Sequence, residues 1–304
     1  MLHLTPIRDL TLQAASSPHR PAYISAASGL VRVGRHLYVV ADDELQLGVF
    51  ALGQNLPGSL LRLFPGELPD KPKKRKKLKP DLEILLQLPA FAGHEHGALL
   101  ALGSGSTSRR CRGVLLAMDA LGAVRGAPRV LDVAAWFAGL AGQFDELNLE
   151  GAWVSNRQLY LLQRGNKHHS ANAVVRYQLQ DLLTAIAQGD VVSALTPEAI
   201  HTMQLGDING VPLCFSDACA VSDDRWLFTA VAEDSDNAVA DGEFLGAAIG
   251  MADASNKVLW ISRVEPKYKI EGIEVRPQAH DLEVLLVTDA DDVAVPASLL
   301  SVRI

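Results

Sequence analysis

A chain of 304 residues, 48% hydrophobic and 21% charged, is ample for a sizeable core and for one large repeat domain or two ordinary ones. Its net charge of −7 gives no reason to expect nucleic acid as the main partner, and no run approaches the eighteen apolar residues that would suggest a membrane span. The opening residues lack the basic and apolar pattern of a signal peptide, and three cysteines without metal-type spacing (Cys111, Cys214, Cys219) suit a reducing cytoplasm, the expected location.

In chain order, residues 3–12 read as a strand. Short runs rich in branched residues and bounded by turn residues then recur to the end, as at 37–40, 114–117 and 284–287. Helical patterns are confined to 131–141 and 179–187, both between sets of strands.

The strands repeat as a unit. Asn148-Leu149-Glu150-Gly151 opens one strand, and a hairpin returns the chain as Leu159-Tyr160-Leu161-Leu162-Gln163-Arg164-Gly165. Glu150 stands nine residues before Leu159. Ser28 stands nine before Leu37, and Asp217 nine before Trp226. Glu83 precedes the run 99–102 across a longer hairpin, and Glu271 precedes 284–287. The anchors Ser28, Glu83, Glu150, Asp217 and Glu271 are spaced 55, 67, 67 and 54 residues apart. Such a period, with about four strands per unit, marks a β-propeller.

Third strands are expected at 47–52, 112–119, 173–179, 244–251 and 299–304. Fourth strands are expected at 59–64, 129–133, 199–205 and 258–264. The fifth unit ends on its third strand, so residues 3–12 would complete that blade and leave no open edge. The expectation is one all-β domain over residues 1–304, a five-bladed β-propeller closed by its N-terminal strand. Six blades, an all-β sandwich or two smaller barrels are the alternatives.

In such a ring the first residues of the innermost strands share one channel mouth. Four carboxylates and Ser28 would meet there. Like charges at that density are protonated, separated by water or neutralised by a cation. A hard cation with oxygen ligands fits, and Ca²⁺ is the natural candidate, held by Ser28, Glu83, Glu150, Asp217 and Glu271. The competing arrangement has the same carboxylates bonded to backbone amides and basic neighbours with no metal.

The loops reaching this mouth divide by charge. Residues 42–44, 233–236 and 289–292 are acidic, whereas Arg109, Arg110, Arg164, Lys167 and His168 make a basic sector suited to a small anionic molecule. The run Lys71-Pro72-Lys73-Lys74-Arg75-Lys76-Lys77-Leu78-Lys79 arrives at the same place and reads as a mobile, solvated insertion over 70–80. His94-Glu95-His96 falls in the long hairpin at the opposite end. There is no Gly-x-Ser-x-Gly elbow or phosphate-binding Gly-x-x-x-x-Gly-Lys loop.

The segments 148–151 with 159–165, and Ile270-Glu271-Gly272-Ile273, resemble repeats of the phytase-like and esterase-like propeller families. The anchor pattern is also similar to that of the five-bladed calcium-activated nucleotidases. That resemblance implies a central Ca²⁺ near carboxylates and serines of the innermost strands. Ser28, Glu83 and Glu150 match it; Asp217 is shorter than the glutamate expected, and Glu271 stands where a serine is expected. The reading is a metal-dependent hydrolase of a small phosphorylated or ester substrate. Glu150 or Glu271 would serve as ligand or general base, and Arg164 with Arg109 would hold the anion. The alternative from another class is a non-catalytic propeller that binds a ligand or a protein. Calcium-dependent lactonase chemistry is a third, weakened by the scarcity of Asn at the anchors.

Overall fold

The structure is a computed structural model and describes residues 1–166, 171–234, 242–279 and 281–304. It is mostly β, with 54% strand and 10% helix, arranged as five blades. Blade one comprises Ala27–Val33, His36–Ala41, Gln46–Ala51 and Ser59–Arg62, each antiparallel to the last. Blade two comprises Leu82–Leu88, Ala98–Gly103, Arg112–Met118 and Val124–Asp132. Blade three comprises Leu149–Ser155, Gln158–Gln163, Asn172–Gln178 and Ala199–Met203. Blade four has longer strands, Val211–Ser222, Arg225–Asp234, Glu243–Asp253 and Val258–Glu265. Blade five has Ile270–Pro277, Leu282–Thr288 and Ser298–Arg303, and its fourth strand is the N-terminal Thr5–Asp9.

The expected closure is therefore present, and it has a second part. Leu2–His3 runs on to pair in parallel with Val258–Glu265, so the first nine residues tie blade four as well as blade five.

Burial explains why second strands read as continuous apolar runs while outer strands read as mixed. All six residues of Ala98–Gly103 are buried, because that strand is covered on both faces. Four of the five residues of the outer strand Ala199–Met203 are not buried. The apolar side chains gather into five clusters, and each lies between two successive blades. Val40 and Leu99 meet between blades one and two, Leu100 and Leu161 between two and three, and Trp153 and Phe228 between three and four. Ile249 and Leu286 meet between four and five, and Leu37 and Leu285 close the circle between five and one.

Among the described residues three α-helices interrupt the strands: α1 (Pro72–Leu78), α2 (Ala134–Ala141) and α3 (Leu179–Gln188). The last two cover one side of the ring with Trp136, Phe137, Leu182 and Ile186. Helix α1 falls inside the basic run, and Arg75 and Lys79 of that run are buried, against the expectation of a solvated insertion. No helix among the described residues is long and apolar enough to cross a membrane.

Candidate functional site

Every innermost strand carries a one-residue break in register near its start. The breaks fall at Ser28, Glu83, Glu150, Ser216 and Glu271. A bulge leaves one residue unpaired and turns its side chain out of the pleat. In blades one, two, three and five the bulge residue is the expected anchor. In blade four it is Ser216, one before Asp217.

That single-residue difference relocates Asp217. Its Oδ2 accepts from the Ile273 amide at 2.9 Å and its Oδ1 from the Ala218 amide at 2.8 Å, both buried. It ties blade four to blade five and does not border the channel cavity. A Cβ on Gly151 would come within 2.7 Å of Asp217 Oδ1, so glycine at 151 is what lets the neighbouring innermost strand approach. Two hydroxyls do similar work. Ser28 Oγ donates to the Leu82 carbonyl at 2.5 Å, and Ser216 Oγ to the Ile270 carbonyl at 2.8 Å. Each therefore clips its strand to the backbone just before the next blade's bulge.

Around the bulges lies a second tier. The residue two before each bulge is Ala26, Asp81, Asn148, Cys214 or Lys269. Opposite these stand Asp42, Ser104, Arg164 and Asp289, each directly after its second strand, and Val231, inside blade four's longer second strand. The amides of Asp42, Ser104, Arg164 and Asp289 donate to the carbonyls of Ala26, Asp81, Asn148 and Lys269 at 2.8–3.2 Å, and Cys214 pairs with Val231. The fold thus sets chemically unlike residues at equivalent positions of the ring.

Together they enclose a cavity of about 100 Å³ bordered by eight carboxylates and five cationic side chains. Arg164 is its hub. Arg164 Nη2 donates to Glu233 at 2.9 Å, and Nη1 lies 3.5 Å from Glu150 and 3.8 Å from Glu271. Lys269 stands 3.5 Å from both Glu233 and Glu271 and 2.7 Å from Asp291. Lys79 bridges Asp42 and Asp81, and Arg110 Nη1 reaches Asp81 at 2.8 Å. Asn148 Nδ2 donates to Glu150 Oε1 at 2.5 Å.

Burial governs protonation here. It pushes the Glu150 carboxyl up to about 8, opposed in part by Arg164 and assisted by Glu271. The same burial raises Glu271, where two cations, Lys269 and Arg164, oppose it. Glu83 is held well above the usual carboxylate range by burial and then by Glu150, Asp81 and Asp42. Burial alone would lower Arg164, but Glu150, Glu271 and Glu233 hold it charged.

Of the expected site residues, Ser28, Glu83, Glu150, Glu271, Arg164 and Arg110 border the cavity. Arg109 does not: it is exposed and borders a separate outer pocket with Leu78, Pro80 and Arg112. Arg110 turns inward instead, because the short 3₁₀ turn Ser108–Arg110 buries only its last residue. Lys167 and His168 lie outside the described residues. Asp81, Lys79 and Lys269 were not expected. The signal for Asp81 and Lys269 is their place two residues before an anchor, legible once the bulge is known.

A hard cation finds part of what it needs. Asp42, Asp81 and Glu83 offer oxygens within 4.8 Å of one another. The Lys79 ammonium already bridges two of the three. Ser28 and Asp217 are engaged with the backbone, and Glu150 and Glu271 with Arg164. Of the five ligands expected for Ca²⁺ only Glu83 belongs to this trio, so no chemical step is derived through a metal.

Among solved structures, an arabinanase from Bacillus subtilis is similar at 9% identity and a TM-score of 0.43, with 92% of this chain and 94% of that one covered. The β-propeller domain of Cps50 (Swd1) from Myceliophteria thermophila is similar at 10% identity and a TM-score of 0.38, with 90% and 71% covered. No curated protein matches the sequence. Residues 23–304, all five blades except the N-terminal closing strand, match the family of unknown function DUF6929, and the chain belongs to that family.

Proposed function

We propose that the channel mouth is the active site of a hydrolase acting on a small phosphorylated or ester group. The observation that carries this reading is the unequal pair Glu150 and Glu271 on one arginine. Glu150 keeps its proton at neutral pH because burial raises it to about 8. Burial raises Glu271 too, but two cations, Lys269 and Arg164, stand within ion-pair distance and oppose that shift, where Glu150 has Arg164. Two carboxyls in unlike surroundings divide naturally into acid and base. Glu271 takes a proton from the attacking water, Glu150 gives its proton to the departing oxygen, and Arg164 steadies the oxygen that gains negative charge.

A second reading is a binding platform without turnover. It is favoured by the three carboxylates that surround Arg164, one of which, Glu233, accepts from its Nη2 at 2.9 Å.

Turnover of phenyl phosphate and ethyl acetate, whose departing oxygens need a proton, separates the two readings. The hydrolase reading expects measurable turnover of at least one. It expects Glu150→Gln to lower kcat by about 10²–10⁴-fold, the range for a lost general acid. It also expects wild-type kcat to fall as pH rises through about 8, where Glu150 loses its proton. Small phosphates that raise the melting temperature without any turnover would leave the platform reading in its place.

A further inference from the structure

The central cavity is small, about 100 Å³. It does not end there. A second cavity of about 410 Å³ lies beside it, walled by Pro72 and Arg75 of α1, by Arg20 and by the loop that follows blade five's second strand. The two share Asp42, Lys76, Lys79, Asp289 and Asp291. The two therefore adjoin over the junction of blades five and one, and together they fall within the size range of small-molecule sites.

Among the described residues the neck carries three carboxylates and two lysines, and Glu83 borders the central cavity beside Asp42. Of the carboxylates that border the central cavity, six have a cation within ion-pair distance: Asp42, Asp81, Glu150, Glu233, Glu271 and Asp291. Glu83 and Asp289 have none among the described residues. Among the described residues the Asp289 carboxylate accepts from the Asp291 amide, at 2.7 Å. Glu83 comes from blade two and Asp289 from blade five, on either side of Asp42 from blade one. Arg164 comes from blade three, two places round the ring from both blade one and blade five. An ammonium is a group these walls already accommodate, since Lys79 Nζ lies buried between Asp42 and Asp81.

We propose that the substrate carries a protonated amine, lodged between Glu83 in the central cavity and Asp289 at the neck, with its phosphoryl or ester group in the central cavity against Arg164 and its remainder in the lateral vestibule. This rests on the hydrolase reading and deepens it. Arg164 draws the anionic or polar end, the unpaired carboxylates draw the cationic end, and the separation of the two along one passage selects a molecule bearing both. Half-buried carboxylates left without an ion-pair partner favour such a ligand over a neutral one of the same shape, because the neutral ligand covers them without compensation.

Two probes that differ only at this point are 2-aminoethyl phosphate and n-propyl phosphate, in which NH₃⁺ replaces CH₃. Titration calorimetry on the full chain at neutral pH is expected to give at least about tenfold tighter binding of the amine. In Glu83→Gln the preference is expected to fall to within about twofold, and Asp289→Asn, tested separately, to reduce it. Each substitution puts a neutral amide where burial already disfavours the ionised carboxylate, so folding is expected to survive them. Equal affinity of the wild type for the two phosphates overturns the inference and leaves the hydrolase reading standing. Calcium at millimolar concentration that competes the amine away from the wild type also overturns it, since the carboxylates would then serve a metal. No binding of either phosphate together with no turnover overturns both readings.

Discussion

Glu150 shows how much of the site's chemistry rests on one desolvated side chain. Its carboxyl is buried against Asn148 and Arg164, and burial outweighs that arginine, so the folded protein binds this proton more tightly than the unfolded chain does. The ordinary value is 4.5 and the folded value about 8. The stability this proton contributes is complete below pH 4.5 and is lost as pH rises through about 8. Glu150→Gln has no proton to lose. Its stability relative to wild type is therefore expected to grow between pH 5 and pH 9, by on the order of a few kcal/mol. Urea unfolding of both proteins at the two pH values measures this, and a difference that is the same at both would show that Arg164 fully compensates the charge. Residue identity made Glu150 legible as an anchor, because the Glu-Gly pair before an alternating strand repeats at Glu271. It did not make Asp217 legible in the same way. Counting nine residues back from Trp226 places Asp217 at the anchor, but the bulge falls at Ser216, and no feature of residue type separates those two positions.

Helix α1 carries the same lesson to a whole element. A block of lysines reads as a solvated face because like charges repel and water screens them. Lys73, Lys74 and Lys77 are indeed exposed. Arg75 and Lys79 stand four apart, on one side of the helical turn, and that side meets the acidic loop 42–44. Arg75 Nε donates to the Asp43 carbonyl at 2.8 Å, and its Nη2 lies 3.1 Å from Glu44. Arg20 approaches the same two acids, at 2.7 Å from Asp43 and 3.0 Å from Glu44. The charge pattern was visible in both segments, but their pairing depends on contact between stretches some thirty residues apart. Arg75→Ala is expected to cost about 3 kcal/mol, since it strips a cation from buried carboxylates. Lys73→Ala and Lys74→Ala are expected to stay within about 0.5 kcal/mol, as for ordinary surface changes. Chemical unfolding of the three variants measures these costs, and equal small effects would mean that Arg20 alone neutralises Asp43 and Glu44. The strand pattern was far more legible, because a strand buried on both faces writes an unbroken apolar run such as 98–102 into the sequence.

At the scale of the molecule, the ring is held shut by the chain's first residues, and its seam lies beside the vestibule. Thr5–Asp9 completes blade five, and Leu2–His3 extends to blade four. Beyond them the Leu10 amide donates to Ala297 at 2.9 Å, the Ile24 amide to Leu10 at 3.0 Å, and the Ala297 amide to Ile24 at 2.7 Å. Leu10 is fully buried among residues of blades one and five. Ala26 pairs with Asp289 across the same seam, which sets one wall of the neck. Removing residues 1–10 would therefore expose the edges of Ser298–Arg303 and Val258–Glu265, remove Leu10 from the core and loosen the wall that carries Asp289. Burying a leucine is worth roughly 2–5 kcal/mol when a cavity is left behind, and an open strand edge is a template for association. A domain of ordinary stability, about 5–15 kcal/mol, has little margin for such a loss. The expected outcome is a truncated protein that aggregates or melts well below the full chain, and that loses binding of small phosphates before it loses its strand content. Circular dichroism during heating, paired with calorimetric titration of the same sample, follows both events. A truncated protein with an unchanged melting temperature and unchanged binding would show that the core between blades five and one holds the ring without its N-terminal clasp.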